Sequence, residues 1–237
     1  MNSIIKSVIH SEVVEPLTSA IYKIWMSFKY GVIVYYYEKD KVGAMKLVKE
    51  VKNEVKMLLS DNESYTIYRT VKNIAKIDGD IAEIGCYKGS SSKLICEAKA
   101  GKNFYIFDTF SGLPKLSNND NYRLINKGDY SATLSEVKKY LSDYSNVFLY
   151  KGKFPSTSSP IRNNKFSFVH LDADLYKPTL SGLIFFYPRM TPGGVFLIHD
   201  YTTLSGVKKA VEKFFLDKKE AIIEIPGTQC LIVKIGD

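Results

Sequence analysis

Hydrophobic positions in the first part of the chain recur with the period of a helix. From Lys41 to Leu59 apolar side chains fall three to four residues apart, which predicts a helix with one buried stripe. A second helix is predicted from Ser64 to about Ile77, because Asp78 and Gly79 supply a stop and a turn directly after it. The chain is therefore expected to open with helices.

After these helices the pattern changes to short apolar runs, each followed by a turn and a segment of helical length. Such alternation predicts parallel strands with crossover helices, so we expect an α/β domain with helices on both faces of a sheet. "TPGG" is expected to end the last crossover helix, and two short strands around "PGTQ" predict an antiparallel hairpin at the sheet edge. The predicted parallel strands are DIAEIG from Asp80, NFYIFD from Asn103, NVFLYKG from Asn146, FSFVHLD from Phe166 and GGVFLIHD from Gly193.

Acidic side chains follow the fourth and fifth predicted strands, where open parallel sheets bind ligands. Asp172 and Asp174 end the fourth, and His199 and Asp200 end the fifth. Carboxylates close together in a cleft repel, and a divalent cation would remove that cost. Oxygen ligands favour magnesium, calcium or manganese, whereas the histidine nitrogen favours manganese, iron or zinc. Alternatively the aspartates cap the following helices, which explains one acid in each loop but not the whole set.

The first two predicted strands end in candidates for a cofactor site. Glu83, Gly85 and Gly89 occupy the turn "AEIGCYKGSSS", where the backbone and the start of a helix can receive an anionic group, such as the carboxylate of an amino-acid-like cofactor. The dinucleotide pattern G-x-G-x-x-G is absent, and a tight strand-to-helix turn is the alternative. Asp108 ends the second strand, where an acid can bind ribose hydroxyls or cap a turn. His170 is expected to be buried or to support a ligand.

Composition and charge change the predicted fold and the candidate sites little. The 237 residues carry a formal charge of +8, but the lysines are scattered, so a solvated surface and an anionic partner both stay open. The three cysteines form no CxxC pair and are expected to be small core residues in a reducing compartment. The N-terminus lacks the order of a signal peptide, so a cytoplasmic location is expected. Lysines interrupt Ile21–Tyr37, so no transmembrane helix is predicted there, and an interfacial helix and a dimerisation surface both stay open.

Several segments in order resemble the macrocin O-methyltransferase family of S-adenosylmethionine-dependent enzymes, over roughly Ser64 to Phe215. They are GDIAEIGCYKGSSSKLI, FDTFSGLP, GKFPST, HLDADLYKPTLSGLIFFYPRMTPGGVFLIHDY and GVKKAVEKFF. The resemblance implies a Rossmann-like methyltransferase fold, with a mostly parallel seven-stranded sheet and an antiparallel C-terminal hairpin. Residues 1–62 would then form a helical extension, a lid or an oligomer contact, and residues 63–237 the S-adenosylmethionine-binding domain.

The resemblance also implies roles for individual residues. The methionine part of the cofactor would be held by Glu83, Gly85, Gly89, Ser90 and Ser91. The ribose would be held by Asp108, and Asp174 would be the general base. The ligands of a divalent metal, usually magnesium with manganese as the alternative, would be Asp172 and Asp200. His199 is the third candidate ligand, at a position where the family more often has aspartate.

Together these features predict a metal-dependent O-methyltransferase that uses S-adenosylmethionine and acts on a hydroxyl of a sugar or related small polyol. The acceptor is expected to be a small molecule or a glycan, and the N-terminal helices are expected to support a homo-oligomer. One alternative is a cofactor-binding interaction module without catalysis. Another is a methyltransferase acting on a nucleic acid, which the positive charge suggests. The chain has no aromatic-basic recognition motif for such a substrate. Neither a nucleic-acid partner nor a membrane partner is expected.

Overall fold

The structure is a computed structural model that describes residues 14–30, 38–120 and 125–236. His10, around which the sequence suggests no chemistry, and residues 31–37 of the Ile21–Tyr37 segment lie outside these residues. The helices are α1 (Val14–Tyr30), α2 (Lys39–Glu54), α3 (Asp61–Asn73), α4 (Ser90–Ala98), α5 (Leu134–Tyr140), α6 (Tyr176–Phe186) and α7 (Ser205–Phe215), with short 3-10 turns at Ser159–Ile161 and Tyr187–Arg189. The strands are β1 (Asp80–Ile84), β2 (Phe104–Asp108), β3 (Val147–Lys151), β4 (Phe166–Leu171), β5 (Met190–Ile198), β6 (Ile223–Glu224) and β7 (Cys230–Val233).

The strands of the described residues form one seven-stranded sheet in the order β3-β2-β1-β4-β5-β7-β6. Strands β1 to β5 pair in parallel, whereas β7 runs antiparallel to both β5 and β6. The expected mostly parallel sheet with an antiparallel C-terminal hairpin is confirmed. Strand order reverses between β1 and β4, which is the kind of switch point where open α/β sheets bind ligands.

Alternate side chains of each strand pack on opposite faces of the sheet. Ile81 and Leu197 belong to a core shared with α2, α3 and α4. Ile84 and Ile198 belong to a core shared with α6 and α7. The expected helices on both faces are therefore confirmed. The buried free thiols of the core, also as expected, are Cys86, Cys96 and Cys230.

The N-terminal helices pack on the same core as the sheet. Met26 and Tyr30 of α1 and Met45 of α2 are almost fully buried in it. Among the described residues, no helix has the length and apolar character to cross a bilayer. A domain division at residue 62 and self-association through these helices stay predictions. The large apolar side chains of α1 that are exposed, among the described residues, are Leu17, Ile21, Ile24, Trp25 and Phe28.

Three expected element bounds are wrong, and the first is that of the helix expected from Ser64 to about Ile77, which is α3 and covers Asp61–Asn73. The helix expected to reach Leu59 ends at Glu54, because Val55 adopts an extended backbone, and Leu58 is 52% exposed instead of lying on the buried stripe. The "TPGG" segment does not end a helix but lies within β5, between a stretch paired at Met190 and a stretch paired from Val195 onwards. It therefore forms a bulge in the strand, a role that glycine commonly has in sheets.

Candidate active site

The register of the central strands places the ends of β1, β4 and β5 side by side. Ile84 of β1 pairs with Leu171 of β4, which pairs with Ile198 of β5. The ladder continues one residue further, because the Asp172 amide donates to the Ile84 carbonyl and the His199 amide to the Leu171 carbonyl, both at 2.9 Å. The backbone thus brings the turn after β1, Asp172 and His199 to one sheet edge.

Asp172, His199 and Asp200 form one cluster of potential metal ligands. Nδ1 of His199 lies 3.2 Å from Oδ1 of Asp172 and 3.2 Å from Oδ2 of Asp200, and one ligand atom of each residue lies within 4.8 Å of the others. Both ring nitrogens of His199 are shielded from solvent, yet neither makes a well-aligned hydrogen bond with the described residues. A divalent cation fits this donor set, since it would pair with both carboxylates and take an unpartnered nitrogen.

The alternative that Asp172 or Asp174 caps α6 is wrong. The N-cap position of α6 is Leu175, which supplies no side-chain hydrogen bond. The Tyr176 amide donates instead to Oδ1 of Asp120 at 2.7 Å, and Asp120 is a buried residue of the loop after β2. Because another carboxylate caps the helix, Asp172 and Asp174 remain available to a ligand.

Asp174 lies in a tight turn between β4 and α6. The Leu175 amide donates to the Ala173 carbonyl at 2.6 Å, and Asp174 between them has a φ of +57°. Asp200 has a φ of +58°. Non-glycine residues in this left-handed region cost about 1–3 kcal/mol each and cluster at functional sites, where the surroundings hold them. Aspartate tolerates this region better than most residues, so the two turns fix these carboxylates with modest backbone strain.

The electrostatics of the cluster disfavour several free carboxylates. Burial raises the pKa of the Asp174 carboxyl well above its usual value, and the charges of Asp172 and Asp200 raise it further. Burial disfavours the His199 imidazolium, but the carboxylates of Asp172, Asp200 and Glu63 outweigh it and hold the pKa of His199 far above its usual value. A bound divalent cation would take over the role of that positive charge and favour ionised carboxylates.

The turn after β1 approaches the β4 loop too closely for a side chain. A Cβ on Gly85, which has a φ of +85°, would lie 1.8 Å from the backbone oxygen of Asp172. Gly89, with a φ of +84°, precedes α4, whose first residues Ser90 and Ser91 line the same cavity as Gly85. Gly89 is not among the lining residues. Unpaired amides at the start of a helix suit an anionic group, so this turn can receive a carboxylate.

Asp108 ends β2 and fixes the turn after β1. Its Oδ2 accepts hydrogen bonds from the amides of Cys86 and Tyr87 at 2.9 and 3.2 Å, and its Oδ1 accepts from the Phe110 amide at 2.8 Å. The turn-capping alternative is therefore realised. The carboxylate also lines the cavity. Since a carboxylate has about four acceptor sites, a contact with a ribose hydroxyl stays a prediction.

Glu83 is placed behind the cavity rather than on its wall. Its side chain is fully buried, where Oε2 accepts a hydrogen bond from the Ser92 hydroxyl and Oε1 lies 2.9 Å from Nδ1 of His170. Glu83 follows Ile81 by two positions and so points to the α4 face of the sheet. Any part in cofactor binding would therefore act through α4 rather than by contact. His170 is buried, as expected.

Glu83→Gln is expected to lower the free energy of unfolding by about 1–3 kcal/mol, because an amide has one acceptor oxygen and leaves either Ser92 or His170 without its partner. Urea unfolding measures the change. The matched control is Glu212→Gln, where the side chain is 52% exposed and a change within about 0.5 kcal/mol is expected. Equal stability of the two variants would contradict the structural role of the buried carboxylate.

The β1 turn and the acid cluster open onto a shared cavity of about 570 Å³. This volume lies within the range of about 300–1,000 Å³ that is usual for small-molecule sites. Gly85 and Asp108 line it together with Asp172, Asp174 and Asp200, so a cofactor at the turn would face the cluster directly. Lining residues that the sequence did not single out include Leu58, Leu59, Tyr130, Lys153, Phe154 and Lys177.

Glu63 is a further acid at this site that the sequence did not single out. Its Oε1 lies 3.6 Å from Nε2 of His199, on the side of the ring away from the cluster. The sole signal was the S-x-x-E spacing from Ser60, which indicates the start of a helix and not a site.

Comparison with known proteins identifies O-methyltransferases as relatives of this chain. A family model described as Macrocin-O-methyltransferase (TylF) matches residues 64–229. The chain is 26% identical over 155 residues to Mycinamicin III 3''-O-methyltransferase of Micromonospora griseorubida, which covers 58% of this chain and 61% of that protein. It is 25% identical over 185 residues to 8-demethyl-8-(2,3-dimethoxy-alpha-L-rhamnosyl)-tetracenomycin-C 4'-O-methyltransferase of Streptomyces olivaceus, over 71% of this chain and 70% of that protein.

The chain thus spans less than two thirds of the first relative's length. Among solved structures, that of the O-methyltransferase NovP matches with a TM-score of 0.66 at 20% sequence identity, over 76% of this chain and 82% of that chain. This likeness confirms the Rossmann-like methyltransferase fold.

Proposed function

The chain belongs to the macrocin O-methyltransferase family, and on that premise we propose that it transfers a methyl group from S-adenosylmethionine to a hydroxyl of a sugar or related small polyol. In this proposal Asp174 is the general base, and a divalent cation, magnesium or manganese, binds at Asp172, His199 and Asp200. The observation that carries the proposal is the shared cavity, in which the glycine turn after β1 faces the acid cluster at the ends of β4 and β5.

The turn after β1 is the proposed site of the methyl donor. Gly85 has no side chain, so a ligand can approach the backbone there, and Ser90 and Ser91 line the cavity at the start of α4. The helix start would receive the carboxylate of the methionine part. Asp108 fixes this turn through the amides of Cys86 and Tyr87, and a ribose hydroxyl could replace the long 3.5 Å hydrogen bond that the Thr109 hydroxyl donates to its Oδ1.

The cluster is the proposed site of the cation. Two carboxylates and one imidazole nitrogen are a donor set that suits magnesium or manganese. When bound, the cation would lower the pKa of the acceptor hydroxyl and hold its oxygen in place. Asp174 lies outside the compact set of ligand atoms, and burial with its acidic neighbours raises the pKa of its carboxyl. A buried carboxylate next to the ligands, but outside their set, can take the hydroxyl proton while its neighbours hold the cation.

In the proposed reaction the acceptor oxygen forms a bond to the methyl carbon while the carbon–sulfur bond of the donor breaks. The electron pair of that bond goes to sulfur and neutralises the sulfonium, and the hydroxyl proton goes to Asp174. The chain contributes by positioning the two substrates in one cavity and by base catalysis. A sugar acceptor is supported by the names of the relatives, one of which specifies a rhamnosyl-bearing tetracenomycin.

Methyl transfer is expected from S-adenosylmethionine to at least one member of a panel of sugars and glycosides, detected by mass spectrometry of the acceptor. Stripping divalent cations with a chelator should abolish transfer, and adding magnesium or manganese should restore it, because the cluster would then regain its charge balance. Transfer that is indifferent to chelation contradicts the metal site. Donor binding by calorimetry without transfer to any polyol would favour a binding module, and methylation of RNA would favour the nucleic-acid alternative.

A further inference from the structure

The Glu63 carboxylate is held rigidly between the start of α3 and the hairpin that joins β6 to β7. Its Oε2 accepts hydrogen bonds from the amide and the hydroxyl of Ser60, at 2.8 and 2.7 Å. Its Oε1 accepts from the amide and the hydroxyl of Thr228, at 2.8 and 2.7 Å. The side chain is 5% exposed. Four donors around a buried carboxylate leave it little freedom to move.

The hairpin turn is shaped to admit this carboxylate. Gly227 has a φ of +109°, and a Cβ there would lie 2.9 Å from Oε1 of Glu63. The Thr228 hydroxyl that donates to Glu63 also lies 3.4 Å from the Asp200 amide, which donates to it. A hydrogen-bond network therefore runs from α3 through the hairpin to the loop after β5, which carries His199 and Asp200.

The His199 ring stands between Glu63 and the cluster. Nε2 faces Oε1 of Glu63 at 3.6 Å, while Nδ1 faces the carboxylates of Asp172 and Asp200 at 3.2 Å each. A histidine that binds a metal through one nitrogen usually directs the other toward a carboxylate, which fixes the ring and draws the ring proton to the far side. Glu63 lies on the side of the ring where that carboxylate would be, and a shift of a few tenths of an ångström would bring Oε1 into hydrogen-bond distance of Nε2.

We propose that Glu63 is a positioning residue of the metal site, which orients His199 so that Nδ1 faces the cation and Nε2 carries the proton. This inference rests on the cation site of the proposed function. Glu63 lies one residue before the part of the chain that the family model matches. The site would therefore be completed by the first turn of α3, which begins before the matched segment.

A purely structural role is the alternative, because Glu63 also completes the capping box of α3. The two roles use different oxygens. Oε2 accepts hydrogen bonds from Ser60, whereas Oε1 accepts hydrogen bonds from Thr228 and faces His199. A variant at Ser60 therefore disturbs the cap and leaves the oxygen near His199 in place.

The test is manganese affinity of the full chain, measured by titration calorimetry. Glu63→Gln is expected to weaken binding about 10-fold or more, since loss of a partner behind a ligating histidine typically costs about 10–100-fold. Ser60→Ala is expected to lower the thermal unfolding midpoint while keeping manganese affinity near that of the wild type. If Ser60→Ala weakens manganese binding as much as Glu63→Gln does, the role is structural and the inference fails.

A double-mutant cycle separates the remaining outcomes. In a His199→Ala background, Glu63→Gln should have no further effect on manganese affinity, and an undiminished effect would contradict action through His199. If the wild type binds manganese and Glu63→Gln binds equally well, Glu63 does not position the site, although the proposed cation site stands. If the wild type binds no manganese, the cation site itself is wrong and the inference falls with it.

Nitrogen chemical shifts of His199 give a readout independent of activity. The chain has three histidines, so their ring resonances can be assigned by substitution. In the magnesium-loaded protein Nε2 of His199 is expected to carry the proton and Nδ1 to lack it. The opposite tautomer would contradict the proposed orientation.

Discussion

Asp174→Asn is expected to lower turnover about 10²–10⁴-fold, the usual contribution of a general base, while the affinity for S-adenosylmethionine stays near that of the wild type. Asparagine has no carboxylate to take the hydroxyl proton. It keeps the shape of aspartate and, like aspartate, tolerates the φ of +57° found at this position. The variant should therefore fold normally. Single-turnover methyl transfer measures the loss, and calorimetry measures donor affinity.

Two further variants show whether Asp174 acts as the base or as a metal ligand. Asp172→Asn should weaken manganese binding, because Asp172 belongs to the compact ligand cluster and Asp174 does not. Asp174→Asn should leave manganese affinity largely intact. Asp217→Asn, at a side chain that is 81% exposed, is the control and should leave turnover unchanged. Wild-type turnover in Asp174→Asn would remove the base assignment, and lost manganese binding would reassign Asp174 as a ligand.

The residues at the sheet edge could be predicted because strand period and strand order decide them. An apolar run ending at Leu171 and another ending at Ile198 are typical of buried parallel strands, and such strands end at a common edge. Asp172 and His199 then follow as neighbours. The alternation rule also places Glu83 on the face of Ile81, away from the turn, whereas its position next to Gly85 in the sequence suggested the turn itself.

Glu63 and Asp120 could not be predicted, because their partners are distant in sequence. Glu63 meets Thr228 across 165 positions, and Asp120 meets Tyr176 across 56. Local sequence patterns indicate only the contacts that a residue makes within its own helix or loop. The S-x-x-E spacing therefore predicted the capping box of Glu63 but not its contacts with Thr228 and His199. Contacts of this kind arise only when tertiary packing brings separate loops together.

Gly85→Ala is expected to lower the free energy of unfolding by about 2–5 kcal/mol or more and to abolish methyl transfer. Backbone strain at its φ of +85° contributes about 1–2 kcal/mol, and overpacking contributes about 1–3 kcal/mol or more. The new Cβ would lie 1.8 Å from the Asp172 backbone oxygen, so the two loops would have to separate. That separation strains the hydrogen bond from the Asp172 amide to the Ile84 carbonyl, which places the first acid of the cluster.

Gly101→Ala separates strain from the clash, because Gly101 has a φ of +82° and no atom within 4 Å of an added Cβ. It should cost only the strain, about 1–2 kcal/mol, and retain manganese binding and turnover. Urea unfolding and manganese titration of both variants provide the comparison. If Gly85→Ala is no more destabilising than Gly101→Ala and still binds manganese, the β1 turn and the β4 loop are not in contact, and one shared site for donor and cation loses its physical basis.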